Sequence, residues 1–153
     1  MTFSKPITIL IADDDEDDRM LIEEAFMESK LTNDLKFVND GIELMDYLNH
    51  SGSFADEEIS PRPGLILLDL NMPRMDGREA LAALKADPVL RKIPVVVLTT
   101  SRAEEDIIRT YDLGVSSYIS KPVSFEGLVE VVKVLSAYWI QIVELPQIES
   151  VAA

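Results

Sequence analysis

The side chains best suited to chemistry in this chain are polar residues that directly follow short apolar runs. They are Asp13, Asp14, Asp69, Asn71, Thr99 and Lys121. A carboxylate nucleophile, a hydroxyl, a lysine and further carboxylates that hold a divalent ion are the parts needed for phosphoryl transfer to an aspartate. Such transfer depends mostly on positioning and on neutralising the charge of the phosphoryl oxygens. The pattern therefore indicates a phosphoryl-transfer site.

Five apolar runs, rich in β-branched residues, predict the strands that position these side chains. The runs are Ile7–Ala12, Leu35–Val38, Leu65–Leu68, Val95–Leu98 and Tyr118–Ile119. Three of them are apolar at nearly every residue, which is typical of strands covered on both faces. Apolar residues at helical spacing lie between and after the runs: Leu21, Ile22, Ala25 and Phe26; Ile42, Met45 and Leu48; Ala80, Leu81 and Leu84; Ile107, Ile108 and Tyr111; Leu128, Val131, Val132 and Leu135.

This alternation predicts an α/β fold, with a doubly wound, five-stranded parallel sheet. Ligands of such sheets bind beyond the carboxyl ends of the strands, where the strand order reverses. With the flavodoxin-like order 2-1-3-4-5, Asp13, Asp14 and Asp69 would share one pocket. Carboxylates at such short distances repel each other unless a cation neutralises their charge. Oxygen ligands suit Mg²⁺, so the sequence predicts a Mg²⁺ site with Lys121 across the pocket.

Composition limits the classes of function. The 153 residues suit one domain, predicted over 1–140, with a tail over 141–153. The net charge of −14 would repel phosphate backbones, so we expect no nucleic-acid partner. There is no cysteine, which excludes disulfides and thiol nucleophiles and fits a reducing compartment. No membrane span or secretory signal is recognisable, and we predict a cytoplasmic protein.

With these residues placed, the chain resembles the receiver domains of bacterial response regulators. The matching segments are ILIADDDEDD, LILLDLNMPRMDG, IPVVVLTTS and SYISKP, and the resemblance runs from about Ile7 to Leu135. Each segment alone is a weak signal. Together, in order and each at a predicted strand end, they are specific.

The resemblance implies a role for each carboxylate of the pocket. Asp69 is the expected phosphoacceptor and also a metal ligand. Asp14 is expected to bind Mg²⁺ directly and Asp13 through a water molecule. Asn71 is expected to contribute its backbone carbonyl.

The resemblance also implies how a signal leaves the pocket. Thr99 is expected to bond a phosphoryl oxygen, and Lys121 to pair with the phosphoryl group. Tyr118 occupies the aromatic position that swings inward when the threonine moves. Family members have a cis peptide before the proline after the lysine, here Lys121–Pro122.

A narrower resemblance concerns the stand-alone regulators that partner cyanobacterial phytochromes. It rests on the segment PRPGLILLDLNMPRMDGRE, on LTTSRAEEDI with its YDL, and on the late YWIQIVELP. It implies a phosphohistidine donor on a light-sensing histidine kinase, and a homodimer. The signal is expected to pass on by protein contact or onward phosphotransfer, to an unknown downstream protein.

Several polar residues have simpler interpretations. In DDDEDD, Asp15, Glu16 and Asp17 read as a helix start, with Asp15 as a possible N-cap. A calcium-binding EF-hand loop is excluded because Asp18 stands where glycine is needed. Gly77 is expected to support a tight turn. His50 is expected to be exposed and inert.

Two features of the sequence allow more than one interpretation. Thr99 rather than Thr100 is assigned to the pocket because of its register after the fourth apolar run. The late apolar residues either fold back over the domain or form a self-association surface, and we favour the second. They are Tyr138, Trp139, Ile140, Ile142 and Val143.

The favoured function is a phosphorylation-controlled interaction module rather than an enzyme. Such a module assists its own phosphorylation and dephosphorylation but has no independent substrate. A phosphohydrolase of the haloacid-dehalogenase type would need a second carboxylate two residues after Asp69, where this chain has Asn71. A receiver fold used only as a scaffold is a third possibility, and a Mg²⁺ titration would separate it.

Overall fold

The chain folds into five strands and five helices that alternate along the sequence. The structure is a computed structural model, and it describes residues 7–31 and 33–137. The strands are β1 (Ile9–Ala12), β2 (Leu35–Val38), β3 (Leu65–Leu68), β4 (Val95–Thr99) and β5 (Ser117–Ser120). The helices are α1 (Glu16–Glu28), α2 (Gly41–Asn49), α3 (Gly77–Ala86), α4 (Glu104–Asp112) and α5 (Phe125–Leu135).

The strands form one parallel sheet in the order β2-β1-β3-β4-β5, which confirms the predicted fold class and strand order. The register aligns the strand ends, because Ala12 lies opposite both Val38 and Leu68. The backbone N–H of Asp69 donates to the carbonyl of Ala12 at 3.0 Å. The residues after β1 and β3 are therefore neighbours at the carboxyl edge of the sheet.

Helices cover both faces of the sheet, as the apolar strands predicted. Successive side chains of a strand point to opposite faces. In β1, Leu10 and Ala12 join a core cluster with α2 and α3, while Ile9 and Ile11 join a second cluster with α1 and α5. Each face of the sheet thus has its own buried core, and the carboxyl edge is left free for polar residues.

The predicted apolar stripe of α2 is wrong for Ile42, which is exposed, and correct for Leu48. The buried side chains of this helix are Leu44, Tyr47 and Leu48, and Met45 packs against the same core. Residues four apart share a helix face, so Leu44 and Leu48 define the face toward the sheet. Ile42, two residues before Leu44, points to the other side. In α3 the predicted stripe is buried as expected.

The predicted stripe of α4 is also wrong. Within α4 the buried residue is Thr110, while Ile108 is 57% exposed and Tyr111 is 50% exposed. The hydroxyl of Thr110 donates to the carbonyls of Asp106 and Ile107 at 2.7 and 3.1 Å. A threonine can therefore face the sheet without an unpaired polar group. Ile108 and Tyr111 face outward instead, while Ile107, the third residue of the predicted stripe, is half-buried.

The segment at residues 50–64, between α2 and β3, is held by hydrogen bonds of its own. Ser60 is fully buried, and its hydroxyl lies 2.8 and 2.9 Å from the carbonyls of Phe54 and Asp56. Nε2 of His50 lies 3.0 Å from the carbonyl oxygen of Ser60. The expectation that His50 is exposed is wrong, because its half-buried ring joins this loop to the end of α2, and the expectation that it is inert stays a prediction.

The predictions for the C-terminal segment fall outside the described residues. They concern the boundary between 1–140 and 141–153 and the late apolar residues from Tyr138 onward, so they stay predictions. Within the part of the chain that the structure describes, no helix is long and apolar enough to cross a membrane.

Candidate functional site

Three carboxylates converge at the carboxyl edge of the sheet. One oxygen from each of Asp13, Asp14 and Asp69 lies within 4.8 Å of the other two. Asp13 and Asp69 are buried, while Asp14 is exposed. The convergence follows from the pairing of β1 with β3, because Asp13 and Asp69 are the first residues after these two strands. The structure thus brings together the carboxylates that the sequence predicted.

Asp69 is held through both carboxylate oxygens. Its Oδ1 accepts a hydrogen bond from the Thr99 hydroxyl at 2.8 Å and another from the backbone N–H of Asn71 at 3.2 Å. Its Oδ2 accepts from Nζ of Lys121 at 3.1 Å. Thr99 is the last residue of β4 and is fully buried, whereas Thr100 is exposed at the rim. The register argument for Thr99 therefore selects the threonine that contacts Asp69.

Gly77 fixes the backbone next to Asp69 by close approach. It is the first residue of α3, and its N–H donates to the carbonyl of Leu70 at 2.9 Å. A Cβ at this position would overlap the carbonyl oxygen of Asp69 and lie 2.8 Å from Cα of Leu70. The expected tight turn is therefore not the reason for glycine here. A side chain would collide with the backbone that carries Asp69.

Lys121 is the cation of the pocket. Its Nζ lies 2.7 Å from Oδ2 of Asp13, 2.8 Å from Oδ2 of Asp18 and 3.1 Å from Oδ2 of Asp69. The side chain is nearly buried, at 11% exposure. Three carboxylates thus share one ammonium group.

Asp18 is the pocket residue that sequence reasoning missed. A usable signal was present, because Asp18 lies four residues before the buried Ile22 and so shares the inner face of α1. The N-cap expectation for Asp15 is confirmed, since its side chain accepts from the backbone N–H groups of Asp17 and Asp18 at 2.9 and 3.2 Å. This cap sets the start of the helix and thereby the direction of Asp18.

Negative charge exceeds positive charge in this pocket. Burial raises the pKa of Asp13, although hydrogen bonds from Lys121 and from the N–H of Asp15 act in the opposite direction. Burial alone would lower the pKa of Lys121, but its hydrogen bonds to Asp13 and Asp18 raise it overall. Lys121 is therefore charged, and one ammonium does not neutralise the carboxylates around it. The oxygen-rich donor set fits a hard divalent cation.

A second ionic contact lies beside the pocket, between α3 and α4. Nε and Nη2 of Arg78 each lie 2.6 Å from an oxygen of Asp106. The Ser101 hydroxyl donates to the same carboxylate at 2.6 Å. The hydrogen bond from Arg78 lowers the pKa of Asp106 to about 2. Sequence patterns could not find this contact, because its partners lie 28 residues apart in two different helices.

Tyr118 is connected to the pocket through Ser101. Its hydroxyl donates to the carbonyl of Ser101 at 2.9 Å, and the N–H of Ser101 donates to Oγ1 of Thr99 at 3.3 Å. Tyr118 is half-buried and packs against the core under α2 and α3. The expected cis peptide at Lys121–Pro122 is wrong, because the described residues include no cis bond. Trans is the favoured isomer before proline as well, and Lys121 reaches its three carboxylates with it.

The comparisons with known proteins all relate this chain to response regulators. Residues 9–133 match the response regulator receiver domain family. Response regulator Rcp1 of Synechocystis sp. is 42% identical over 141 residues, which span 92% of this chain and 94% of Rcp1. The crystal structure of the phosphorylated cyanobacterial phytochrome response regulator RcpA superposes with a TM-score of 0.86 at 43% identity, covering 94% of this chain and all of RcpA.

A further solved structure concerns the cation. The crystal structure of the Mn²⁺-bound form of Rcp1 superposes with a TM-score of 0.84 at 42% identity and covers 93% of this chain and 100% of that one. Receiver domains use Mg²⁺, and the cluster of Asp13, Asp14 and Asp69 supplies the oxygen ligands that such an ion takes, so the predicted cofactor is confirmed. By sequence match, fold and pocket, this chain belongs to the receiver-domain family of two-component response regulators.

Proposed function

We propose that Asp69 is the phosphoacceptor of this chain and that a histidine kinase is the donor. The carrying observation is the environment of the Asp69 carboxylate, which faces a hydroxyl, a backbone N–H and an ammonium group at hydrogen-bonding distance. In the reaction, a carboxylate oxygen of Asp69 forms a bond to phosphorus. The P–N bond to the donor histidine breaks, and the leaving imidazole takes a proton.

The neighbours of Asp69 suit the charge that develops in this reaction. Thr99 and Lys121 approach the carboxylate from two directions, at 2.8 and 3.1 Å, so that each would face a different phosphoryl oxygen. Preorganised donors of this kind stabilise charge in the transition state more than in the ground state. The N–H of Asn71 holds Asp69 in place for attack.

The carboxylates of the pocket would hold the divalent cation. We assign direct binding to Asp14 and Asp69, binding through water to Asp13, and a backbone carbonyl ligand to Asn71. The exposed position of Asp14 and its approach to Asp69 support the first assignment. The bound ion supplies positive charge that neutralises phosphoryl oxygens.

Thr99 and Tyr118 form the proposed switch. Ser101 links them directly, since its N–H contacts the Thr99 hydroxyl and its carbonyl accepts from Tyr118. A movement of Thr99 on phosphorylation would therefore change the hydrogen bonding of Tyr118 through the single residue Ser101. Tyr118 borders α4, whose Ile108 and Tyr111 are exposed, and this surface would report the change to other proteins.

The proposed partners follow from the relatives. RcpA is described as a phytochrome response regulator, and this chain is 43% identical to it, so we assign a phytochrome-type histidine kinase as donor. A homodimer, a downstream protein and a cytoplasmic location stay predictions. The chain is expected to assist its own phosphorylation and dephosphorylation, without an independent substrate. A phosphohydrolase remains disfavoured because Asn71 replaces the acid that such an enzyme needs.

Intact-mass measurement after incubation with acetyl phosphate tests the proposal. The wild-type chain should gain one phosphoryl group when Mg²⁺ is present and none when the ion is chelated. Asp69→Asn should gain none, and Asp17→Asn, which alters an exposed carboxylate at the pocket rim, should behave as wild type. Equal modification of the wild type and Asp69→Asn would refute the assignment of the acceptor.

A further inference from the structure

Asp18 competes with Asp13 and Asp69 for hydrogen bonds from the ammonium group of Lys121. An ammonium group has three N–H donors, and Lys121 directs them at three carboxylates. The distances are 2.7 Å to Asp13, 2.8 Å to Asp18 and 3.1 Å to Asp69. Asp18 therefore holds the lysine more closely than the proposed acceptor does.

Asp18 stands on the lysine side of the pocket rather than on the cation side. The cluster whose oxygens could share one ion comprises Asp13, Asp14 and Asp69, and Asp18 is not part of it. Its side chain is 35% exposed, in the first turn of α1, and its backbone N–H is fixed by the Asp15 cap. The contact of Asp18 within this pocket is therefore with Lys121.

Lys121 and a divalent cation need the same oxygens. Oδ1 of Asp13 accepts from the N–H of Asp15, and Oδ1 of Asp69 accepts from Thr99 and Asn71. The second oxygen of each carboxylate is occupied by Lys121. An incoming cation must therefore share these carboxylate oxygens with the ammonium group or displace it, and the ammonium group must keep a partner to remain satisfied in a nearly buried position.

We propose that Asp18 is a positioning residue that retains Lys121 when the divalent cation takes its share of Asp13 and Asp69. By binding one donor of the ammonium group and offsetting its charge, Asp18 lowers the repulsion between Lys121 and the cation. Without Asp18, the lysine would turn its full charge toward the carboxylates that the ion requires. The inference rests on the proposed cation site and adds a residue that acts on it through Lys121.

The Mg²⁺ affinity of single and double variants, measured by isothermal titration calorimetry, tests this role. Asp18→Asn should weaken Mg²⁺ binding by about tenfold, because an ammonium group a few ångströms from the ion is no longer offset. Asp17→Asn is the matched control, because it removes the same charge from the same helical turn at a residue with no side-chain contact to Lys121. The control should weaken binding by less than about twofold, since exposed charges are screened.

The Lys121→Met background separates positioning from direct ligation. There, adding Asp18→Asn should change Mg²⁺ affinity by less than about twofold, because the residue through which Asp18 acts is gone. An equal loss in both backgrounds would overturn the inference and show that Asp18 acts on the ion itself. Identical affinities for Asp18→Asn and Asp17→Asn would also overturn it while leaving the proposed function intact. A wild-type chain that binds no Mg²⁺ would overturn both.

Discussion

Two ionic centres contact the segment that carries Asp69, and they differ in how many carboxylates hydrogen-bond to one cation. In the Lys121 centre (Lys121, Asp13, Asp18 and Asp69), one ammonium group is shared by three carboxylates. In the Arg78 centre (Arg78, Asp106 and Ser101), one guanidinium group binds one carboxylate through two hydrogen bonds of 2.6 Å, and the carboxylate of Asp76 lies farther away at 3.8 Å. The hydrogen-bonded groups of the first centre carry an excess of negative charge, whereas the hydrogen-bonded pair of the second is balanced.

This difference in charge balance distinguishes a site suited to binding a cation from an ion pair that stabilises the fold. A bidentate arginine–carboxylate pair satisfies both partners and stabilises the fold. Carboxylates gathered around too little positive charge repel one another, which costs stability until a cation arrives. Under the proposed function, the Lys121 centre takes part in the chemistry and the Arg78 centre stabilises the structure around it.

The two centres are connected through the residues after β3. Nη1 of Arg78 lies 3.4 Å from the carbonyl of Leu70, and the adjacent Gly77 packs against the carbonyl of Asp69. The same segment thus carries the proposed acceptor and anchors the balanced pair. Substitutions here should distinguish damage to the fold from damage to the chemistry.

The largest effect is expected for Gly77→Ala, which disturbs both centres. The added methyl group would collide with the backbone of Asp69 and Leu70, which cannot move without displacing β3. We expect the free energy of unfolding to fall by about 3 kcal/mol, and phosphorylation to slow. Urea unfolding measures the first change and intact mass the second. Glu79→Ala, an exposed change in the same helix, is the control, and a Gly77→Ala chain as stable as that control would contradict the close-approach argument.

The next effect concerns the Arg78 centre alone. Removing either Arg78 or Asp106 leaves a mostly buried charge without its partner, which should lower the free energy of unfolding by about 2 kcal/mol. In a double-mutant cycle, most of this loss should appear as coupling between the two residues. The exposed pair Lys133–Glu130, with an N···O distance of 3.8 Å, is the matched control and should show coupling below about 0.5 kcal/mol. Similar coupling in both pairs would contradict the stabilising role assigned to the Arg78 centre.

The pH dependence of the stability that the Arg78 centre contributes further tests the contrast between the two centres. The pKa of Asp106 is lowered from 3.8 to about 2 by its hydrogen bond from Arg78. A carboxyl with a depressed folded-state pKa adds stability above its unfolded value and loses that stability as pH falls through the folded one. The stability difference between wild type and Asp106→Asn should thus be constant above pH 4 and shrink toward pH 2. Urea titrations at stepped pH would measure it, and a difference that grows on acidification would contradict the pairing.

Most of the fold could be predicted from apolar patterning. The bounds of β2 and β3 agree with the predicted runs, because each run is a short, mostly apolar segment that ends at a polar residue, Asn39 or Asp69. The helix faces were harder to predict. In α4, exposed Ile108 and Tyr111 produce a false stripe, while the buried residue is Thr110. Periodicity identifies a helix but cannot show which face meets the sheet when a threonine satisfies its own hydroxyl.

The residues of the site also divide into those that could be predicted from the sequence and those that could not. Residues at strand ends were predictable because parallel strands place their carboxyl ends together, as with Asp13 and Asp69. Asp18 was missed because its charge blends into an acidic run, although its spacing from Ile22 marks the inner face of α1. The Arg78–Asp106 pair could not be predicted, because it depends on how α3 and α4 pack in space.

The most direct test of the account is the change in Tm on adding Mg²⁺, compared between the two centres. Mg²⁺ should raise the Tm of the wild type and of Asp106→Asn by equal amounts. The reason is that a cation that binds the folded state stabilises it by about 2.7 kcal/mol at a hundred times its dissociation constant. Asp14→Asn should gain far less at the same Mg²⁺ concentration, because it lacks the proposed direct ligand. No gain in the wild type, or an equal gain in Asp14→Asn, would contradict the claim that Asp14, together with Asp13 and Asp69 of the Lys121 centre, binds a cation.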